Sequence, residues 1–363
     1  MPWWALNVLK DLIIEERLKH PHNEIHIFTL VSDRKTLEIS SSSDPHPATL
    51  KIVTALPWRL NHLFTTRLDY RNLIVFAPRL MKILARKINA FRPNEVHISS
   101  FAIAKNINIP LLVKGGVRGG FVPTSLYLHS PMQYIRSHYE EYTHKLKGWK
   151  GKLFKRIAPR LRKRDKQFTQ FDEVYANSNY TAKLAKEIYG LDAKVKYPGV
   201  KTFSQNVYST EPLPYYVYTG RLVKFVKEVD KIIEVFNHTK NTLIIIGSGP
   251  DEVYLKSIAH KNIIFIDWID DKQEMFKIIA QAKWFINLTK ESFGISTVEA
   301  LLLGVPVFGF NQWGSAELVD EDSWILIGQK DHHTLINKFE EFTSRQRDRQ
   351  KIIESIKKKL KII

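Results

Sequence analysis

Glu291 and Glu299 stand eight residues apart around a glycine, in the run Glu291-Ser292-Phe293-Gly294-Ile295-Ser296-Thr297-Val298-Glu299-Ala300, which continues through Gly304-Val305-Pro306-Val307. The run follows a strand-like segment and opens a helical pattern. Gly294 lets a backbone approach a ligand closely, and a helix N-terminus offers unpaired N–H groups and the positive end of its dipole. A pyrophosphate fits there. Glu291, on the loop, can accept hydrogen bonds from sugar hydroxyls; Glu299, about one turn into the helix, can do the same for a ribose diol. Gly304 ends the helix before a buried strand. Two glutamates at this separation are by themselves ordinary surface charges. The composite of acid, aromatic-Gly, acid-Ala and Gly-x-Pro is the uncommon feature.

Those side chains need a scaffold. Strand-like segments at residues 215–219, 242–246, 263–266, 284–288 and 305–308 alternate with helical patterns near 228–237, 272–282 and 295–303. Such alternation predicts an α/β domain with a mostly parallel sheet. A similar series precedes it, with a helix over 5–18 and strands over 24–31, 50–55, 95–99, 125–129 and 173–177. The pattern pauses at Tyr197-Pro198-Gly199-Val200, which puts a domain boundary near residue 201. The length of 363 residues suits two domains, and 44% hydrophobic with 25% charged residues is the balance of a folded chain. The absence of cysteine excludes disulfides and thiolate zinc sites. No apolar run reaches the roughly 18 residues of a membrane-spanning helix. The opening Met1-Pro2-Trp3-Trp4 lacks the basic region and cleavage site of a signal peptide, so a cytoplasmic location is expected.

The run around Gly294 resembles the signature of family 4 retaining glycosyltransferases, whose GT-B fold sets two Rossmann-like domains across an interdomain cleft. Further segments are similar to the same family in the same order. Tyr218-Thr219-Gly220-Arg221-Leu222-Val223 with Lys227 looks like its phosphate clamp, and Ile246-Gly247-Ser248-Gly249-Pro250 like the loop after the next strand. Residues 262–268 look like the strand and loop beside the nucleobase. Asn177-Ser178-Asn179-Tyr180-Thr181-Ala182 resembles the end of the first domain. His129-Ser130-Pro131-Met132-Gln133-Tyr134 and the segment 99–105 resemble a subgroup rich in mannosyltransferases of surface-polysaccharide assembly.

The resemblance implies a catalytic set of His129, Arg221, Lys227 and Glu291. Donor binding would fall to Gly220, Gly247, the backbone of Phe293, Gly294 and Ile295, and Glu299. Arg221 and Lys227 would hold the donor diphosphate and stabilise the charge that develops as it leaves, without a metal or other cofactor. His129 would face the sugar from the first domain. The family spacing has four residues between the Arg and the Lys; here there are five, so Lys224 stands as an alternative to Lys227. Family members open with a strand and a glycine-rich loop before the helix assigned to 5–18, so the N-terminal sheet is expected to lack its first strand. The implied division is an acceptor-side domain over 1–200, a nucleotide-sugar domain over 201–343 and a basic helix over 344–363.

Other features have bland readings beside the functional ones. Glu317 could bind substrate or cap a local helix. Gly115-Gly116-Val117-Arg118-Gly119-Gly120 lacks phosphate-loop spacing and reads as a turn. Asp320-Glu321-Asp322 reads as a solvated turn rather than a metal site, and His332-His333 has no ligand spacing. The formal charge of +18 favours anionic partners. Residues 145–166 hold eleven basic side chains and one acid, with Leu153, Ile157 and Leu161 at helical spacing. This segment is either an amphipathic helix resting on an anionic inner membrane face or a core-facing helix with solvated lysines. No nucleic-acid module accompanies the charge. The expected function is hexose transfer from a nucleotide-sugar, with GDP-mannose the donor the subgroup points to, onto a glycan or lipid-linked acceptor. The alternatives are a non-catalytic nucleotide-sugar-binding or scaffold subunit, and a basic RNA-associated protein.

Overall fold

A computed structural model describes residues 13, 24–29, 36–41, 44–56, 77–100, 104–107, 122–146, 148–200, 212–310, 313–320, 323–327, 336, 339, 341, 343–344 and 347–362. The expected helix over 5–18, save Ile13, lies outside the described residues, as do Gly115–Gly120 and the His332-His333 pair. The chain parts into two compact units. One comprises Met1–Asn177 and Thr181–Gly199, the other Ser178–Tyr180 and Val200–Ile363.

In the first unit, β1 (His26–Thr29) pairs parallel with β3 (Asp44–Thr54), which pairs antiparallel with β2 (Thr36–Ser41). A second sheet runs β4 (Val96–Ser100), β5 (Thr124–Leu128), β6 (Glu173–Ala176), β7 (Lys194–Val195), all parallel. The expected strands form, but among the described residues they pair as two sheets, because β1 bonds only to β3 and β4 only to β5. Helix α1 (Ala77–Phe91) turns Leu80, Leu84, Ala85 and Ile88 inward at helical spacing, against Phe28 and Ala55. α2 (Tyr139–Lys145) leads into α3 (Gly148–Asp165), and α4 (Asn179–Tyr189) follows β6.

The face expected for the basic segment is corrected here. Helix α3 packs buried Ala158 and half-buried Phe154 and Leu161 on Met132, Ile135, Tyr134 and Tyr139, while Leu153 is exposed and Ile157 lies outside this cluster. The inward stripe therefore runs 154–158–161–165. Its last member, Asp165, is completely buried and accepts hydrogen bonds from Arg136 Nη2 at 2.9 Å, Asn106 Nδ2 at 3.1 Å and Tyr189 Oη at 2.7 Å. Lys105, itself 1% exposed, donates to the Asp165 carbonyl at 2.5 Å and lies 3.8 Å from its carboxylate. Burial pulls the Lys105 ammonium down to about 8 against the opposing pull of Asp165.

The second unit carries a six-stranded, all-parallel sheet. Its strands are β8 (Leu213–Thr219), β9 (Thr242–Ile246), β10 (Ile263–Ile266), β11 (Ala282–Asn287), β12 (Val307–Phe310) and β13 (Trp324–Ile327), in the spatial order β10-β9-β8-β11-β12-β13. Counted from its own first strand, this is 3-2-1-4-5-6, the doubly wound dinucleotide-binding order. Strands in such a sheet are covered on both faces and need continuous apolar runs, which Leu-Ile-Ile-Ile of β9 and Ile-Ile-Phe-Ile of β10 provide. Between the strands lie α5 (Lys224–Lys227), α6 (Val229–Asn237), α7 (Glu252–Ile258), α8 (Lys272–Gln281) and α9 (Ile295–Leu302). α6 buries Val229, Ile232, Ile233 and Phe236 at i, i+3, i+4 and i+7. The basic C-terminal segment forms α10 (Arg349–Leu360), which buries Ile352, Ile353 and Ile356 and packs on α9.

Candidate donor site

In a 3-2-1-4-5-6 sheet the chain leaves the first strand to one side and the fourth to the other, so a crevice opens outside their carboxyl ends. Here those strands are β8 and β11, which pair directly. The residues singled out in the sequence occupy the loops at that point. Gly220 to Val223 follow β8, Gly247 follows β9, and Thr289 to Gly294 follow β11. The first two loops touch: a Cβ on Gly247 would lie 2.0 Å from the Gly220 carbonyl oxygen, so no side chain is tolerated there. Leu222 N–H donates to Ser248 O at 3.0 Å, which locks the loop that carries Arg221.

Lys227 ends the short α5, and its Nζ lies 2.6 Å from Glu291 Oε1, with side chains 28% and 17% exposed. Thr289 Oγ1 donates to the Lys227 carbonyl at 3.2 Å, joining the β8 and β11 loops a second time. The other carboxylate oxygen, Glu291 Oε2, accepts from Asn287 Nδ2 at 3.2 Å; Asn287 also donates to Thr297 Oγ1 at 2.7 Å. Gly294 adopts φ +86, and a Cβ there would stand 2.9 Å from Glu291 Oε2 and 3.1 Å from Ser315 Cβ. Both the left-handed backbone and the contact require glycine. α9 begins at Ile295 with no side chain capping it, and its first-turn amides have no intrahelical carbonyl to bond. A lysine, a carboxylate and an uncapped helix N-terminus thus meet at one place, suited to an anion flanked by hydroxyls.

Glu299, one turn further, is 7% exposed and pairs with Lys272 Nζ at 2.8 Å. Burial raises the carboxyl above the usual carboxylate range, and the Lys272 charge and hydrogen bond work against that rise. Lys272 opens α8 and lies 27 positions away, a partner no local motif signals. Replacing Lys272 with methionine removes the opposing charge, so Glu299 takes up a proton more readily. Nucleotide affinity is expected to fall about tenfold on the acid side and to recover as pH rises, since a charged hydrogen bond is worth about 1.5–3 kcal/mol. Glu299→Gln should show the same loss without recovery. Calorimetric titration at two pH values separates the variants; a pH-independent Lys272→Met would remove the electrostatic role.

The two lysines of α5 diverge. Lys224 Nζ donates to the Tyr254 hydroxyl at 2.8 Å and lies 4.0 Å from its ring centre, while Lys227 turns to Glu291. Glu228 follows with φ +50, a left-handed break that separates this turn from α6. Arg221 is exposed, and no hydrogen bond or ion pair engages its guanidinium among the described residues. Glu317 accepts the amide N–H groups of Asn179 at 3.0 Å and Tyr180 at 3.2 Å, at the start of α4 and 138 positions from Asn179, so it caps a distant helix start and not the local helix of its second reading. Asp320 binds Ser323 N at 3.0 Å and the Ser355 hydroxyl, as a turn-closing group does; residues 321–322 lie outside the described residues.

His129 belongs to the first unit. It follows β5 directly, is 3% exposed, meets Ser99 Oγ through Nε2 at 2.9 Å, and sets its ring edge-on to Tyr127 at 4.9 Å. Burial lowers its pKa to about 4. The folded state therefore binds fewer protons than the unfolded chain between about pH 6.5 and 4, and stability is lost as pH falls through that window. The expected loss is about 3 kcal/mol at most. Denaturant titrations of wild type and His129→Gln across this range should converge at low pH; a constant difference would contradict a neutral buried ring. Asn287, Thr289, Thr297 and Lys272 are the site residues that motif reading missed. Asn287 had a signal, as the polar end of an otherwise apolar strand directly before the loop.

Residues 200–359 match the family model described as "Glycosyl transferases group 1". The matched stretch lies within the second unit, Val200–Ile363. An uncharacterized 41.2 kDa protein in the cps region of Klebsiella pneumoniae is 27% identical over 215 residues, covering 52% of this chain and 55% of that protein, about half the length of each. Sucrose-phosphate synthase from Thermosynechococcus elongatus superposes with a TM-score of 0.66 at 12% identity, covering 97% of this chain and 88% of its own. The apo form of the lipopolysaccharide outer core galactosyltransferase WaaB gives 0.64 at 14% identity, covering 99% and 92%. Likeness at such identity shows the fold, which is α/β with two Rossmann-like domains, the GT-B class expected from the sequence.

Proposed function

We propose that the chain is a retaining hexosyltransferase that uses a nucleoside-diphosphate sugar, with GDP-mannose the leading donor, and needs no metal. The acceptor is a glycan or a lipid-linked saccharide in surface-polysaccharide or glycolipid synthesis, handled at the cytoplasmic side of a membrane. One observation carries the reading: Lys227, Glu291 and the uncapped start of α9 converge at the switch point of a doubly wound sheet. Breaking a glycosyl–phosphate bond requires a stabilised leaving group, and cations with oriented amides at a diphosphate supply that. Arg221 and Lys227 neutralise the departing diphosphate, Glu291 orients the sugar through its hydroxyls, and Glu299 holds the ribose. A phosphate oxygen of the donor takes the acceptor proton during same-face attack. The cps-region relative and the lipopolysaccharide galactosyltransferase of the same fold support the acceptor class.

Lys227 and Glu291 neutralise each other across 2.6 Å, so an arriving phosphate competes with the carboxylate for the ammonium. A thermal-shift series with UDP-, GDP- and ADP-sugars identifies the donor, because binding to the folded state raises its melting temperature. Donor hydrolysis or transfer by the purified protein then tests catalysis. Binding with no turnover under any acceptor would favour a nucleotide-sugar-binding scaffold subunit, and no stabilisation by any nucleotide-sugar would overturn both.

A further inference from the structure

We infer that the outward face of α3 is a docking surface for an anionic phospholipid bilayer, with Trp149 and Leu153 as the side chains that enter the interface. At 100° per residue, the inward-packed stripe of Phe154, Ala158, Leu161 and Asp165 fixes the opposite face as Trp149, Lys152, Leu153, Arg156, Arg160 and Lys163. The four basic residues of that face are exposed. Trp149 is 70% exposed and Leu153 45%, one turn apart at the helix start. The one acid of the helix, Asp165, points inward, so nothing negative on α3 interrupts the outward cationic stripe, which extends about 21 Å from Trp149 to Lys163.

An interfacial helix has this arrangement, with apolar side chains for the acyl boundary and arginine or lysine for the phosphates. Single-stranded nucleic acid would use the arginines and could stack on the indole, but it offers Leu153 no apolar phase; the bilayer accommodates both. The helix is also prepared for the contact. Its C-terminal end is tied by Asp165 to Lys105, Asn106, Arg136 and Tyr189, and Arg162 Nε donates to the Ile135 carbonyl at 2.5 Å. Docking therefore requires no folding of the segment. Among the described residues no helix is long and apolar enough to cross a membrane, and the contact is peripheral. The inference rests on the lipid-linked acceptor of the proposed reaction for its purpose, and on α3 alone for its geometry.

Co-sedimentation with vesicles of one part phosphatidylglycerol to two parts phosphatidylcholine tests it. The full chain is expected to bind at low salt and to be released by high salt or by pure phosphatidylcholine vesicles. Arg156→Ser with Arg160→Ser should lower the partition about 25-fold, about fivefold for each surface charge. Trp149→Ser with Leu153→Ser should lower it about tenfold or more, and should remove the part of the indole fluorescence that brominated lipid quenches. These side chains are exposed, so unchanged melting confirms that each variant folds. No binding to the anionic vesicles overturns the proposal. So does binding that neither pair of substitutions weakens, or binding that an oligonucleotide abolishes while itself being held by the same residues. Nucleotide-sugar binding and turnover measured in the same variants keep the two readings apart. Turnover without vesicle binding refutes the docking surface alone; vesicle binding without nucleotide-sugar recognition refutes the reaction alone.

Discussion

Arg221→Ala should reduce turnover by about 10²- to 10³-fold, the loss expected when one preorganised donor to a developing negative charge is removed. The structure explains why the effect should be large and specific. Arg221 follows Gly220 in a loop held by Leu222 N–H to Ser248 O and by the close contact of Gly220 with Gly247. Its guanidinium is exposed and engages no group among the described residues, so its removal leaves no buried partner orphaned. The melting temperature should stay put while kcat falls, and the affinity for the free nucleoside diphosphate should fall with it. Arg221→Lys should recover part of the rate, since the charge returns without the bidentate fork. Full activity in Arg221→Ala would disprove the clamp. A loss of rate accompanied by unfolding would show a structural role instead.

Asp165→Ala should destabilise the first unit by about 3–5 kcal/mol, the cost of removing one member of a buried ionic group. Lys105 is 1% exposed and 3.8 Å from the carboxylate that Arg136 also contacts, so the substitution leaves two cations without their counter-charge and the Tyr189 hydroxyl without its acceptor. Asp165→Asn should retain part of the hydrogen bonding and lose less. Denaturant unfolding that follows the first unit measures both. Equal losses in the two variants would mean that packing, rather than charge, sets the value. Because Asp165 ends α3, vesicle binding should weaken in these variants only to the degree that the helix itself is disturbed.

Much of the second unit was legible along the chain. Five of its six strands are mainly aliphatic and aromatic runs whose character is local, and the glycines at 220, 247 and 294 mark turns that only that residue tolerates. β13, Trp324–Ile327, was not read from the sequence. In the first unit, the two residues of β7 are too few to show a period, and the pairing of strands into two sheets is not a property of any one segment. The helix over residues 148–165 was also legible, but its orientation was not. Leu153, Ile157 and Leu161 share an apolar spacing, yet the core selected Phe154, Ala158 and Leu161, because Met132 and Ile135 offer a surface where those side chains fit.

The chain by itself determined the run of α/β units, the glycine-bounded loops, the uncapped helix start after Gly294 and the excess of positive charge. These follow from local sterics, hydrophobic period and composition. Tertiary structure decided which charges meet. Lys227 rather than Lys224 faces Glu291, Lys272 finds Glu299 across 27 positions, and Asp165 turns inward while Trp149 turns out. The reason is physical: a salt bridge or a buried face exists only where parallel strand order brings distant loops to the same end of a sheet, and no spacing within one segment encodes that order.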